Sequence, residues 1–135
     1  MSLIASVKTH EGLELKPYLD SSAVGVLTIG YGRNLEDRGI TKEEAEMLLL
    51  NDLETSTKEA KKFEFYENLT SNNRRDVIVE MIFNMGLTRF KKFKKTIKAI
   101  ENKDFASAAD EMLNSKWAGQ VGQRAITLSN KFRAG

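Results

Sequence analysis

The run from Lys8 to Arg33, KTHEGLELKPYLDSSAVGVLTIGYGR, constrains this chain more than any other stretch. Among its residues are Glu11, Asp20 and Thr28, well spaced, and four glycines. Upstream, Leu3, Ile4 and Val7 fall on one helical face, and Glu11 stands beside Gly12 where that helix should end. Downstream, Pro17 to Leu19 and Val24 to Tyr31 read as strands, broken at Ser21, Ser22 and Gly25. The pattern predicts a short amphipathic helix that feeds a β-hairpin.

Asp20 follows Glu11 by nine residues and Thr28 follows Asp20 by eight. A helix ends in unpaired carbonyls that carry partial negative charge. A carboxyl placed there is expected to favour its protonated form, as a general acid requires. Asp20, near a hairpin turn, should be better solvated and stay ionised. Two carboxylates in unlike surroundings are the minimum set for cleaving a glycosidic bond. The plain alternative is two surface acids, since the chain has 19 acids in 135 residues, and spacing alone leaves that open.

The string E-G-L-x-L-K-x-Y-x-D, followed by T-I-G-Y-G, closely resembles the N-terminal signature of phage lysozymes of the T-even type, glycoside hydrolase family 24. The likeness continues through Gly39 to Glu46. It returns at Arg74-Arg75, at Met81 to Gly86, at Ser115-Lys116-Trp117, and at Gln120, Arg124 and Phe132-Arg133. It covers nearly the whole chain in order. The resemblance implies an α+β, mostly α, lysozyme-like fold in a single domain, residues 1–135. A small hairpin lobe (about 12–40) would be joined by a long helix to a helical lobe (about 62–135) packed with the N-terminal helix.

It also implies Glu11 as general acid, Asp20 as second carboxylate, and Thr28 as the hydroxyl that helps hold the attacking water. Phe83, Asn84 and Gly86 match the family's cleft-facing segment. Asn34, Thr96, Gln120 and Arg124 are the further expected substrate contacts, with Arg124 orienting the glutamate. Seven residues separate Asp20 from Thr28, where the family usually has five. The extra pair should lengthen the turn and, being even, keep side chains on their faces. Arg33 stands where the family has a histidine, and we expect it to pair with Asp52. The connection before the long helix is short, so a small helix is expected to be missing there.

Composition fits one soluble globular unit, with 41% hydrophobic and 30% charged residues and a net charge of +2. No cysteine is present and His10 is the only histidine, so neither a thiolate nor a histidine-rich metal site is expected, and no cofactor is implied. The first eight residues lack the features of a signal peptide, and no segment reaches transmembrane length. The resemblance then implies synthesis in a host cytoplasm, action on the cell wall, and a holin-like factor for access. A monomer is expected, with peptidoglycan as partner, no nucleic acid and no stable membrane insertion.

Thr41 and Glu44 form a capping box that opens a helix from about Lys42 to about Lys61. Phe63 to Asn68 has no clean period and reads as a connection. Thr70 or Ser71 caps a helix with Val77, Ile78, Met81, Ile82 and Met85 inward, ended by Gly86 in the left-handed conformation. Phe90 to Ile100 places apolar residues at helical spacing among five lysines, a solvated basic face that also attracts anionic polymers. Asp104 caps a short helix, Trp117 is a core anchor, residues 119–122 form a loop, and a last helix spans about Gln123 to Lys131.

A muramidase explains Glu11, Asp20 and Thr28 together. A lytic transglycosylase would cut the same bond without water. A basic helical nucleic-acid-binding module would use the lysines but leave the three N-terminal residues unexplained, and the sequence lacks a recognisable motif for it.

Overall fold

The computed structural model describes residues 1–135. It is mostly helical with one small antiparallel sheet, as the α+β expectation required. The chain divides into two compact units, Met1–Met47 and Leu48–Gly135.

The first unit opens with α1 (Leu3–Glu11). Ser2 caps it by accepting from the Ala5 amide, and Gly12 ends it at φ 71°. Strands β1 (Glu14–Leu19), β2 (Leu27–Gly30) and β3 (Arg33–Asn34) follow, in the order β1-β2-β3. Tyr18 lies opposite Thr28, and Thr28 opposite Asn34. The hairpin was expected; the third strand was not. A further correction concerns the connection after it, where a helix was expected to be missing. Leu35–Arg38 forms a single turn, α2, because Asn34 accepts from the Asp37 amide at 3.0 Å and so caps it.

Helix α3 (Lys42–Ala60) crosses the boundary between the units. Its capping box is complete: the Glu44 amide donates to Thr41 Oγ1 at 3.1 Å and the Thr41 amide donates to Glu44 Oε1 at 2.8 Å. The same Glu44 oxygen accepts from Arg33 Nη1 at 2.9 Å. Arg33 therefore pairs with Glu44 and not, as expected, with Asp52, about two turns further along α3. The Arg33 side chain and then the Thr41 amide draw the Glu44 carboxyl down from 4.5 to about 2. The folded state thus binds fewer protons here than the unfolded one. The stabilisation is fully present above about pH 4.5 and is lost as pH falls toward 2. Glu44→Gln should lower the melting temperature at pH 7, and the deficit should shrink as thermal melts are repeated toward pH 2.

The second unit carries the hydrophobic core. Helix α4 (Glu64–Asn68) replaces the connection expected there; its five residues are too few to show a period. Helix α5 (Asn72–Met85) is capped by Ser71 and buries Val77, Ile78, Met81 and Ile82 as predicted. Then come α6 (Leu87–Phe90), α7 (Lys94–Glu101), α8 (Phe105–Leu113, capped by Asp104), α9 (Lys116–Val121) and α10 (Gln123–Ala134). The predicted loop at 119–122 is largely the end of α9, with Gly122 as the break at φ 59°. Trp117, Phe90 and Phe132 are fully buried, which bears out the anchor reading of Trp117. Arg74 donates to the carbonyls of Phe132 and Arg133 and lies 4.0 Å from the Phe105 ring centre, fastening the last turn of α10.

Candidate active site

Within the first unit, three sequence-predicted residues sit on adjoining elements. Glu11 is the last residue of α1, and its exposed carboxyl lies directly on the backbone of Gly32. A Cβ at Gly32 would stand 2.7 Å from Glu11 Oε2, and Gly32 has φ 76°. Only glycine satisfies both conditions. Lys8, one turn earlier, places its ammonium 5.4 Å from the Tyr31 ring centre. The last turn of α1 is thereby held to the β2–β3 turn at two points.

Asp20 closes the loop between β1 and β2. Its Oδ1 accepts from the Ser22 hydroxyl at 2.5 Å, the Val26 amide at 2.9 Å and the Ser22 amide at 3.1 Å. The Ser22 hydroxyl, followed by the Val26 amide, holds the Asp20 carboxyl below the usual carboxylate range, with desolvation opposing in part. All these bonds fall on Oδ1, and no protein hydrogen bond occupies Oδ2.

Thr28 is the only buried residue of the first unit, and its hydroxyl donates to the Val26 carbonyl at 2.8 Å. That carbonyl also accepts from the Asp20 amide at 2.9 Å. One residue, Val26, therefore ties Asp20 to Thr28 through both of its backbone groups. The seven residues between them close into a loop that leaves Asp20 and Thr28 joined at Val26. Asn34 lies across β2 from Thr28, with its side chain engaged by Asp37 at the cap of α2.

The remaining candidates lie in the second unit. Phe83 is 38% exposed on α5. Asn84 accepts from Trp117 Nε1 at 2.7 Å, so it satisfies the indole of the core anchor. Gln120 accepts from Arg89. Arg124 donates to Glu80 at 2.9 Å. Thr96 is buried and lines a cavity with Phe93 and Trp117.

Gly86 ends α5 at φ 86° and ψ 156°, not in the left-handed helical conformation expected of it. That region is essentially restricted to glycine. A Cβ there would meet nothing within 4 Å, so the constraint lies in the backbone alone. Gly86→Ala should cost about 1–3 kcal/mol in stability. Lysis measured well below the new melting temperature should stay near wild type. A loss of lysis with the melting temperature unchanged would instead put Gly86 against the substrate.

Sequence reasoning passed over Gly32, Ser22, Val26 and Glu80. Gly32 stood inside the T-I-G-Y-G string without a role, and the Asp-Ser-Ser run was a legible Asx-turn signal. Nothing local points to Glu80, whose partner is 44 residues away.

The phage lysozyme family model matches residues 8–134. The chain is similar to probable T4-type lysozyme 1 of Dictyostelium discoideum, at 39% identity over 159 aligned positions that cover 96% of this chain and 92% of that protein. It is also similar to an endolysin of Acyrthosiphon pisum secondary endosymbiont phage 1, at 33% identity over 83% of this chain and 74% of that one.

Proposed function

The chain belongs to the phage lysozyme family, and from that premise we propose that it is a muramidase that hydrolyses the β-1,4 bond between N-acetylmuramic acid and N-acetylglucosamine in peptidoglycan. The lysozyme and endolysin relatives support the coarser reading, a glycosidase that lyses bacterial cell wall. The finer reading rests on one observation. Asp20 and Thr28 are tied through Val26 in the same unit that seats Glu11 on Gly32.

In this reading Glu11 protonates the leaving glycosidic oxygen. Asp20 keeps an unoccupied carboxylate oxygen, and the Thr28 hydroxyl lies at the other end of the Val26 bridge. Together they position a water on the opposite face of the sugar. Attack by that water inverts the anomeric centre, as a pair of carboxyls that admits a water between them requires. Asn34, Phe83, Asn84, Thr96, Gln120 and Arg124 are the residues proposed to bind the glycan, and Gly86 ends the helix that carries two of them. The enzyme acts as a monomer on the wall, and a holin-like factor gives it access.

Muropeptide analysis of purified peptidoglycan after digestion tests the reaction. Hydrolysis yields reducing ends, heavier by one water than the anhydro products of a lytic transglycosylase. Anhydro products would leave Asp20 and Thr28 with no water to place and would replace this reading with the transglycosylase one.

A further inference from the structure

The peptide unit that joins Val26 to Leu27 is engaged at both of its ends. Its carbonyl accepts from the Asp20 amide at 2.9 Å and from the Thr28 hydroxyl at 2.8 Å. Its N–H, which belongs to Leu27, donates to Glu36 Oε1 at 3.2 Å. A trans peptide unit is flat, and its C=O and N–H point in opposite directions. A bond on the N–H therefore fixes the direction of the carbonyl on the other side.

The fold explains why a side chain is needed there. Strand β3 ends at Asn34, opposite Thr28, so it supplies no residue across from Leu27. A backbone N–H left without an acceptor is unfavourable. Glu36, the second residue of α2, reaches back to β2 and provides the acceptor. Glu36 has no other protein partner. It is exposed and takes part in none of the ion pairs Arg33–Glu44, Lys58–Glu54, Arg124–Glu80 and Arg133–Asp110. The helix dipole favours an acid in the first turn of α2, but Asp37 stands in that turn as well. The reach to Leu27 is what sets Glu36 apart.

We propose that Glu36 is a positioning residue for Asp20 and Thr28, acting through the Val26–Leu27 peptide unit. This rests on the reading of those two residues as the pair that places the attacking water. A threonine hydroxyl has one proton to donate, and Thr28 spends it on the Val26 carbonyl. Toward a water, Thr28 can then only accept, as can the Asp20 carboxylate. A water that donates both its protons to them keeps a lone pair for the anomeric carbon. If the Val26 carbonyl swings away, the Thr28 hydroxyl is free to donate to the water and ties up that lone pair. Glu36 prevents this by holding the opposite end of the peptide unit.

Steady-state kinetics on solubilised peptidoglycan strands, well below the melting temperature, provide the test. In Glu36→Ala, kcat should fall about tenfold with KM unchanged, less than the ~10²-fold that a misplacement of about 1 Å can cost. Glu36→Gln keeps the length and an acceptor oxygen, and should restore kcat to within about twofold of wild type. Glu36→Asp keeps the charge but is one methylene shorter, and should behave like Glu36→Ala. Equal kcat in wild type and Glu36→Ala overturns the proposal. So does a raised KM with kcat unchanged, which would make Glu36 a glycan contact. So does the reverse order, with Glu36→Asp active and Glu36→Gln impaired, which would make charge and not reach the cause. A wild-type chain that releases no hydrolysis product would instead undo the muramidase reading, and this inference with it.

Discussion

Glu11→Gln should lower the rate of wall lysis by about 10²–10⁴-fold, the usual range for removing a general acid. The melting temperature should stay where it was. Glutamine has the same shape and cannot deliver the proton. Glu11 is exposed at the end of α1 and takes part in no ion pair, so the fold loses nothing with its charge. The position of its carboxyl depends on Gly32, whose bare Cα leaves the space that Oε2 occupies. Gly32→Ala should therefore also reduce lysis while Glu11 itself is intact, because a new methyl 2.7 Å from Oε2 must displace the carboxyl. Turbidity loss of a wall suspension measures the rate, and a thermal melt measures the fold. Near-wild-type lysis by Glu11→Gln would move the acid elsewhere, with Glu14 the nearest candidate.

Asp20→Asn should reduce lysis at least 100-fold, as expected for loss of the carboxylate that places the water. Its effect separates charge from loop geometry. The asparagine carbonyl oxygen can still accept from Ser22 and from the Val26 amide, so the loop keeps its shape. Asp20→Ala loses both charge and loop bonds and should lower the melting temperature as well. Asp20→Glu should keep partial activity if the carboxylate chiefly positions charge or water.

The pH dependence follows from the same contacts. Ser22 and Val26 depress the folded-state pKa of Asp20, so the carboxylate persists as pH falls below the ordinary range. Its stabilising contribution is present above that range and fades as pH drops through it. Ser22→Ala removes the largest cause and should move the acid limb of the pH–rate profile upward. NMR of the first-formed anomer should show inversion. Retention would make Asp20 the nucleophile and would require carboxyls about 5 Å apart.

Features governed by a few neighbouring residues were legible in the sequence. The Thr41–Glu44 capping box, the span of α3, the Asp104 cap and the inward face of α5 all follow from local hydrogen bonds or the helical period. The hairpin and the position of Glu11 at a helix end followed in the same way. Helices α2, α4 and α6 were missed because four or five residues cannot display a period of 3.6.

Pairings were the other loss. Arg33 meets Glu44 rather than Asp52 because the end of the sheet, not the helix face, sets its reach. Trp117 meets Asn84 across 33 residues and Arg124 meets Glu80 across 44, and packing alone brings them together. The seat of Glu11 on Gly32 is of the same kind. A glycine in a string reports that the backbone needs freedom, but only the folded chain shows which side chain takes the space that its missing Cβ leaves.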